Sequence, residues 1–447
     1  MKTRVTRGFR LLEIAAVLCV LAFAYGRHLE APALHQDEPE WIATSCYWEA
    51  LLDRGFIEPE WLARHGVPPA GFIAPDWVSR TLRAPGSQHV WAPHYWTLTQ
   101  PPVARYIIAL GRKAGGYDLA DLNAVWKSDV HKREPDAPAF PGMLWYSRAL
   151  MAVLAVLSGL ILFLLVRQCA GAVAGYAFVV LFASSDFLLT HLRRAMTESP
   201  LLFFTCLTLL FGACFLRANR KGRAVAWLIL MGVAAGLAGA TKLNGLALAG
   251  AGIALVAAVA YRQTERQGAF RQFLLWTAVL LVTVGAVFTI VNPYLYPNPP
   301  LRMAAMLLFL RWETAQYVAN PDWAIPDLAT RVNLVPWLLL KPFTVTHRPL
   351  LNAALLMVGL YALGRSGWQW WRNEQDGNST SVALLAVGAV TALPPLFTPL
   401  NWGRYYLYSV VFISIGIAVG IGQIANSGWR LWSRRHSRRG TATPNGR

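Results

Sequence analysis

The chain consists mainly of long apolar runs, most of them close to the length of a membrane span, separated by short polar turns. A helix of about 20 apolar residues matches the hydrocarbon thickness of a bilayer. In lipid a spanning segment must satisfy its own backbone hydrogen bonds, which a helix does. The pattern therefore predicts an all-α polytopic membrane protein with about ten spans. They cover residues 9–26, 144–167, 171–189, 200–216, 224–240 and 245–260, then runs ending near 291, 365 and 394, and a last run over 406–424.

Long polar stretches interrupt the spans and divide the chain into consecutive segments. These are 1–26 (N-terminus and first span), 27–143 (a large first loop), 144–291 (spans two to seven), 292–350 (a second long segment), 351–425 (spans eight to ten) and 426–447 (a basic tail). Within the first loop, residues 41–53 and 103–113 have the pattern of amphipathic helices. We expect both helices to lie at the membrane surface, with an apolar face at headgroup level.

The charge distribution agrees with this picture and predicts an orientation. Only 14% of the residues are charged and the mean hydropathy is +0.38, whereas a soluble protein has about a quarter charged residues. The net charge of +18 lies largely in the short turns around 217–223 and 262–271 and in the tail. Because cytoplasmic turns are enriched in Lys and Arg, these segments are predicted inside and the two long polar segments outside. This distribution argues against nucleic-acid binding, and the five cysteines imply no disulfide framework.

An acidic pair follows the first span, in the sequence His35-Gln36-Asp37-Glu38-Pro39. Carboxylates close to a bilayer are costly to desolvate, so they usually form ion pairs or take part in catalysis. The simpler alternative is a helix start, because Asp is a good N-cap residue and Pro suits the first helical turn.

The predicted outer side carries further polar motifs. His94 and Gln100 lie in a Pro-rich stretch that leads into the helix with Arg105, and a Pro-rich turn is the alternative interpretation. Arg193 and Arg194 lie between spans three and four. Arginines on the outer side favour an anionic partner, for which Glu198 and a lipid headgroup are the simple candidates.

Two more cations lie at outer membrane edges. Lys242, followed by Asn244, occupies a turn flanked by small residues that permit close helix packing. Arg404 lies between Asn401 and Tyr405 at the start of span ten. Lys242 could simply extend toward the interface, but both cations also suit a phosphate at headgroup depth. An acidic pair and several cations on one side of the membrane suit the transfer of a group from a lipid-linked phosphate.

In order and predicted membrane side, these motifs resemble those of the GT-C membrane glycosyltransferases that use polyprenyl-phosphate sugars. The resemblance is nearest to the protein O-mannosyltransferase and aminoarabinose-transferase group, and it extends over most of the chain. It rests on the acidic pair, Gln100-Pro101-Pro102, the Arg-rich segment with Glu198, the Gly-Ala-Thr-Lys-x-Asn-Gly turn and the late Asn-Trp-Gly-Arg-Tyr-Tyr. Gln100 stands where the family commonly has His, and Glu198 where it often has Asp.

The resemblance implies a GT-C bundle of about 10–11 transmembrane helices and an inverting transfer of a sugar from a polyprenyl-phosphate donor to a protein, glycan or lipid outside the cytoplasm. Asp37, with Glu38 beside it, would be the catalytic base. The donor phosphate would bind Arg193 or Arg194, Lys242 and Arg404. Substrate contacts are expected from His94, Gln100, Arg105, Glu198, Asn244, Asn401 and Tyr405. We expect no cofactor or metal, and a multi-pass location in a bacterial inner membrane with a periplasmic site.

A lipid or solute transporter and a non-catalytic scaffold are the alternatives. Transporters often contain internal repeats and place charges near the bilayer midplane, whereas this chain has no evident repeat and its motif charges lie at one predicted face. A scaffold would not need opposed acids and cations.

Overall fold

The computed structural model describes residues 2–53, 101–122, 137–263, 266–296, 298–325, 327–341, 348–375, 377–393 and 397–440. Regular structure in these residues is helical, apart from one isolated antiparallel bridge between Ala324 and Leu400. The helices are α1 (Lys2–Gly26), α2 (Glu38–Ala43), α3 (Tyr47–Leu52), α4 (Val103–Ala114), α5 (Phe140–Ala170), α6 (Ala172–Ser184), α7 (Asp186–Arg193), α8 (Glu198–Leu216), α9 (Lys221–Thr241), α10 (Leu248–Gln263), α11 (Arg266–Ile290), α12 (Pro299–Val318), α13 (Leu328–Leu340), α14 (Pro349–Trp371), α15 (Ser379–Ala392) and α16 (Leu407–Gly440).

Each predicted span corresponds to a helix or a helix pair. Among the described residues, seven helices are long and apolar enough to cross a membrane, and the pair α6 and α7 is an eighth candidate. The first and ninth predicted spans correspond to α1 and α15. Helix α15 has only 14 residues, which is about 21 Å of helix and less than a typical hydrocarbon core. The chain is therefore a multi-pass integral membrane protein.

The third predicted span is not one straight helix. Helices α6 and α7 meet at Ser185 with a bend of 67°, and Ser185 begins the second helix by accepting a hydrogen bond from the Leu188 backbone N–H at 3.4 Å. The signal for the break is the polar sequence Ser184-Ser185-Asp186, a serine cap followed by an acid in the first turn of the next helix. As a result, α7 ends with its basic residues beside the first loop.

The first-loop helices differ from the prediction. The stretch predicted as one helix over 41–53 is α2, a 3-10 turn over Thr44–Cys46, and α3. The predicted helix over 103–113 is present as α4, but its two arginines, Arg105 and Arg112, are buried. Arg112 bonds the Glu49 carboxylate at 2.5 Å and the Ser45 hydroxyl at 3.2 Å. The two regions therefore pack on each other through polar side chains.

A buried ion pair fastens the start of this loop to the bundle. Glu38 is fully buried, and both of its carboxylate oxygens accept bonds from Arg148 of α5, at 2.9 and 2.6 Å. The same carboxylate accepts from the His35 and Ala195 backbone N–H groups. Arg148 also donates to the backbone carbonyls of the chain just after α1. Every part of this pair is hydrogen-bonded, which is the condition under which a buried pair is tolerated.

The small residues near Lys242 pack as predicted. A Cβ at Gly236 would lie 2.9 Å from the Val284 carbonyl of α11, and one at Gly245 only 2.3 Å from the Ala238 carbonyl. The turn between α9 and the next helix is therefore close-packed on both sides, and it leaves Lys242 in an extended conformation (φ −155°) at the helix end.

The second long segment is joined to the loop before α16 by backbone bonds. The Ile325 N–H donates to the Pro399 carbonyl at 2.7 Å, and the Asn401 N–H donates to the Trp323 carbonyl at 2.8 Å. This short ladder brings the end of α12 next to the Asn-Trp-Gly-Arg-Tyr-Tyr motif.

We predict that Arg148→Ala destabilises the protein strongly, because it leaves the Glu38 carboxylate buried without its cation. Breaking a buried pair from one side costs about 3–5 kcal/mol. The measurement is thermal unfolding of the purified protein in detergent, with the exposed Arg348→Ala as the matched control. An unfolding midpoint equal to that of wild type would show that the pair does not hold the loop.

Candidate functional site

A cavity of about 760 Å³ lies where the first loop meets several later turns. The loop supplies Asp37, the α7–α8 junction supplies Glu198, and the turn after α9 supplies Lys242. The loop before α16 supplies Arg404, and α12 closes another side. Turns that are far apart in sequence, all of them predicted on the outer side, therefore converge on one site.

Asp37 and Arg404 form the central contact of this cavity. Asp37 stands at the N-cap position of α2 but makes no capping bond with its side chain. Instead its carboxylate accepts a bond from the Arg404 guanidinium at 2.6 Å, and the two side chains are 25% and 17% exposed. The helix-start interpretation of Asp37 is therefore correct for its position but does not account for its side chain.

His35 lies beside this pair as a neutral imidazole. Its Nδ1 accepts a bond from the Asp37 backbone N–H at 3.2 Å, so that nitrogen carries no proton. Burial lowers the pKa of His35, although the nearby Asp37 carboxylate opposes the shift. The 3.7 Å approach of His35 to the Asp37 carboxylate is consequently a contact between a neutral ring and an anion.

Lys242 and Glu198 form a second, looser pair. The Lys242 ammonium lies 3.9 Å from a Glu198 carboxylate oxygen and 5.2 Å from the centre of the Tyr405 ring. Glu198 is buried, and its other oxygen has no hydrogen-bond partner. Tyr408 fixes the local backbone by donating to the Glu198 carbonyl at 3.2 Å.

Several other predicted site residues also line the cavity. Arg105 is buried, with its guanidinium over the rings of Trp41 and Tyr47 and a 2.9 Å bond to the Thr44 hydroxyl. Asn244 and Asn401 are exposed at the cavity wall. His94 and Gln100 lie outside the described residues.

Some predicted site residues do not line the cavity. Glu38 is one residue from Asp37, but its carboxylate is fully occupied by Arg148 and backbone N–H groups, so its role in this structure is to position the loop. Arg193 is directed away and donates to the Ala24 carbonyl. Arg194 does not line the cavity either, although its charge interacts with those of Glu38, Glu198 and Arg404. Of the two arginines offered as alternatives, Arg194 is therefore the one whose charge acts on the carboxylate of Glu198.

The cavity also contains residues that the sequence motifs did not indicate. Glu40 lies one helical turn after Asp37, and burial together with the Asp37 charge raises its pKa to about 7. Glu313 of α12 faces the cavity, as do Tyr317 and Trp323. The three-residue spacing from Asp37 could have identified Glu40, but nothing in the sequence connects α12 to the first loop.

Among the described residues, no group of three or more His, Cys, Asp or Glu side chains is arranged to hold a metal ion. The carboxylates of the cavity are instead distributed among Lys242, Arg404 and Arg105.

Comparisons with known proteins agree on the fold. Residues 91–296 match the family model described as dolichyl-phosphate-mannose-protein mannosyltransferase. The comparison with curated proteins found no match.

Solved structures with a similar fold include ArnT from Cupriavidus metallidurans bound to undecaprenyl phosphate, with 14% identity and a TM-score of 0.50 over 93% of this chain. The same protein in its apo state is 15% identical with a TM-score of 0.52 over 94% of this chain. The apo oligosaccharyltransferase of Archaeoglobus fulgidus is 13% identical with a TM-score of 0.51, covering 97% of this chain and 53% of its own. The chain spans 60% of the length of the ArnT structures.

These similarities and the helical bundle lead to one conclusion. The chain is a multi-pass membrane protein with the GT-C fold, and its residues 91–296 are similar to the dolichyl-phosphate-mannose-protein mannosyltransferase family.

Proposed function

We propose that the chain is a membrane glycosyltransferase that moves a sugar from a polyprenyl-phosphate donor to an acceptor outside the cytoplasm. The observation that carries this proposal is the cavity itself, where the Asp37 carboxylate lies 2.6 Å from Arg404 and where Lys242 and Arg404 both lie over the Tyr405 ring. A base next to phosphate-binding cations is the arrangement that transfer from a lipid-linked phosphate requires.

The donor class is supported by chemistry and by similarity. Arg and Lys on one wall provide charge-assisted bonds to a phosphate. The similarly folded ArnT of Cupriavidus metallidurans was solved with undecaprenyl phosphate. In this proposal the donor phosphate binds Arg404 and Lys242, with Arg194 adding positive charge nearby.

Both cations have carboxylate partners in the structure, Asp37 for Arg404 and Glu198 for Lys242. A donor phosphate would therefore compete with these carboxylates. When it takes bonds from Arg404, the Asp37 carboxylate is released from its ion pair and becomes able to accept a proton. Donor binding and activation of the base are thus linked through one guanidinium.

The reaction is a single displacement. Asp37 takes the proton of an acceptor hydroxyl or amine, the acceptor atom forms a bond to the anomeric carbon, and the bond from that carbon to the phosphate oxygen breaks. The electron pair leaves with polyprenyl phosphate, whose negative charge Arg404 and Lys242 stabilise. Attack opposite to the leaving group inverts the anomeric centre.

Glu40 is another carboxylate that lines the cavity. Its pKa of about 7 would suit proton transfer. Among the described contacts, however, neither Arg404 nor Lys242 bonds to the Glu40 carboxylate. Asp37, in contact with Arg404, is better placed to act on an acceptor that attacks beside the phosphate.

Orientation and metal use complete the proposal. The basic turns favour an extracytoplasmic position for the cavity, and a bacterial inner membrane with a periplasmic site fits the charge distribution. The mechanism needs no metal, since two protein cations offset the phosphate charge. A transporter would need the charges to lie along a path through the bundle, whereas these converge on one cavity.

We predict that Asp37→Asn and Arg404→Ala impair different steps, sugar transfer and lipid binding respectively. Asp37→Asn should lose transfer from undecaprenyl-phosphate mannose by a factor of about 10² to 10⁴, the usual contribution of a catalytic base, while undecaprenyl phosphate still binds. Arg404→Ala should weaken undecaprenyl phosphate binding roughly ten- to a hundredfold, since it removes a charge-assisted bond. The measurements are transfer kinetics and lipid binding in detergent.

The matched controls are Glu30→Gln, an exposed acid of the same loop, and Arg348→Ala, an exposed arginine. Full transfer activity in Asp37→Asn, or unchanged lipid binding in Arg404→Ala, would contradict the roles given to these residues.

The raised pKa of Glu40 predicts a pH-dependent stability. Because the folded protein disfavours the charged carboxylate, the stabilising effect of its protonated form is present below the ordinary pKa of 4.5 and is lost as the pH rises through about 7. Glu40→Gln should therefore raise the unfolding midpoint relative to wild type at pH 8 more than at pH 5. Equal effects of the substitution at both pH values would contradict the shift.

A further inference from the structure

A cluster of aromatic rings lines the cavity on the side of α12. Tyr317 packs against Trp323 and Trp402, with ring centres 5.6 and 4.8 Å apart, and the two indoles are 6.2 Å apart. Tyr405 continues the cluster, 5.4 Å from Trp402. All four side chains line the cavity, so their rings border the space that a substrate would enter.

The position of these rings is set by the backbone. The bonds between Trp323 and Asn401 and between Ile325 and Pro399 hold the two loops side by side. Trp323 remains 42% exposed despite its ring contacts. An indole held by backbone bonds with part of its surface open offers a flat apolar surface at little entropic cost.

Carboxylates lie next to the rings. The Tyr317 hydroxyl donates to the Glu313 carboxylate at 3.3 Å. Glu40 and Asp37 line the same cavity as Glu313 and the rings. Hydrogen-bond acceptors therefore share the cavity with the flat surface, a combination that suits a ligand with an apolar face and hydroxyl groups on its edge.

Aromatic rings with carboxylates can also bind an ammonium group, but the protein's own cations disfavour that here. Arg404 lies over Trp402 at 5.1 Å and over Tyr405 at 5.9 Å, and Lys242 lies over Tyr405 at 5.2 Å. A ligand cation stacked on Trp402 or Tyr405 would add a third positive charge beside these two. A neutral ligand avoids that repulsion.

We infer that Tyr317, Trp323 and Trp402 form a stacking platform for a neutral sugar ring, whose hydroxyls donate to Glu313 and Glu40. This inference rests on the proposed function and deepens it, because it assigns the recognition of the sugar to α12 and its neighbouring loop. The ring is either the sugar of the donor or a sugar of the acceptor, since both bring the same chemistry to the cavity.

The test is saturation-transfer NMR of the full-length protein in detergent with methyl mannoside, a neutral probe, and methyl glucosaminide, a cationic one. Trp323→Ala should weaken methyl mannoside binding on the order of tenfold, and Trp323→Phe should retain most of it. Trp337→Ala, an exposed tryptophan of α13 that does not line the cavity, is the matched control. Equal mannoside binding in wild type and Trp323→Ala, or preferential binding of the glucosaminide, would overturn the inference.

Binding of the lipids distinguishes the two sources of the ring. If the donor sugar stacks there, Trp323→Ala weakens binding of undecaprenyl-phosphate mannose but not of undecaprenyl phosphate. If the acceptor sugar stacks there, both lipids bind as in wild type and the KM for a saccharide acceptor rises. If Trp323→Ala changes neither the binding of undecaprenyl-phosphate mannose nor the KM for the acceptor, the platform is contradicted.

Failure of the platform and failure of the proposed function have different signatures. A wild-type protein that binds methyl mannoside through Trp323 but does not bind undecaprenyl phosphate would contradict the donor class alone. A protein that binds the lipid through Arg404 but is unaffected by Trp323→Ala would contradict the platform alone.

Discussion

The pair between Glu38 and Arg148 is the constraint on which the site depends. A carboxylate with no exposure would be prohibitively costly if it were unpaired. Here it is bonded by a guanidinium of α5, by the first loop's own backbone and by the Ala195 N–H that precedes α8. Three parts of the chain are thereby joined at one point. The next residue toward the N-terminus, Asp37, is held facing the cavity as a consequence.

The positive and negative charges within the cavity are nearly balanced. Arg404 and Lys242 are each close to a carboxylate, so the site is polar and nearly self-compensated as it stands. A phosphate that enters must exchange partners with these carboxylates, and the cations need little movement to do so. In the proposed mechanism this exchange frees the base only when the donor is in place, which would protect the reactive sugar from an early attack.

Much of the architecture could be predicted from the sequence, because lipid allows few solutions. Every predicted span has a helical counterpart, and the turns with Asp37, Glu198, Lys242 and Arg404, which are predicted on the outer side, do meet. Local pattern could not separate Asp37 from Glu38, because the difference between them arises from Arg148, more than a hundred residues away. For the same reason the sequence pattern does not identify Glu313 and Trp323 as site residues. Their place in the site depends on backbone bonds between distant loops, and a hydropathy pattern contains no information about such pairing.

In the proposed mechanism a polyprenyl phosphate binds where Asp37 and Arg404 now pair. This position can be tested by a cryo-electron microscopy structure of the protein with undecaprenyl phosphate. We expect a phosphate within hydrogen-bond distance of Arg404 and Lys242, with the Asp37 carboxylate separated from the guanidinium. A phosphate bound elsewhere, with the Asp37–Arg404 contact still at the 2.6 Å seen here, would contradict it.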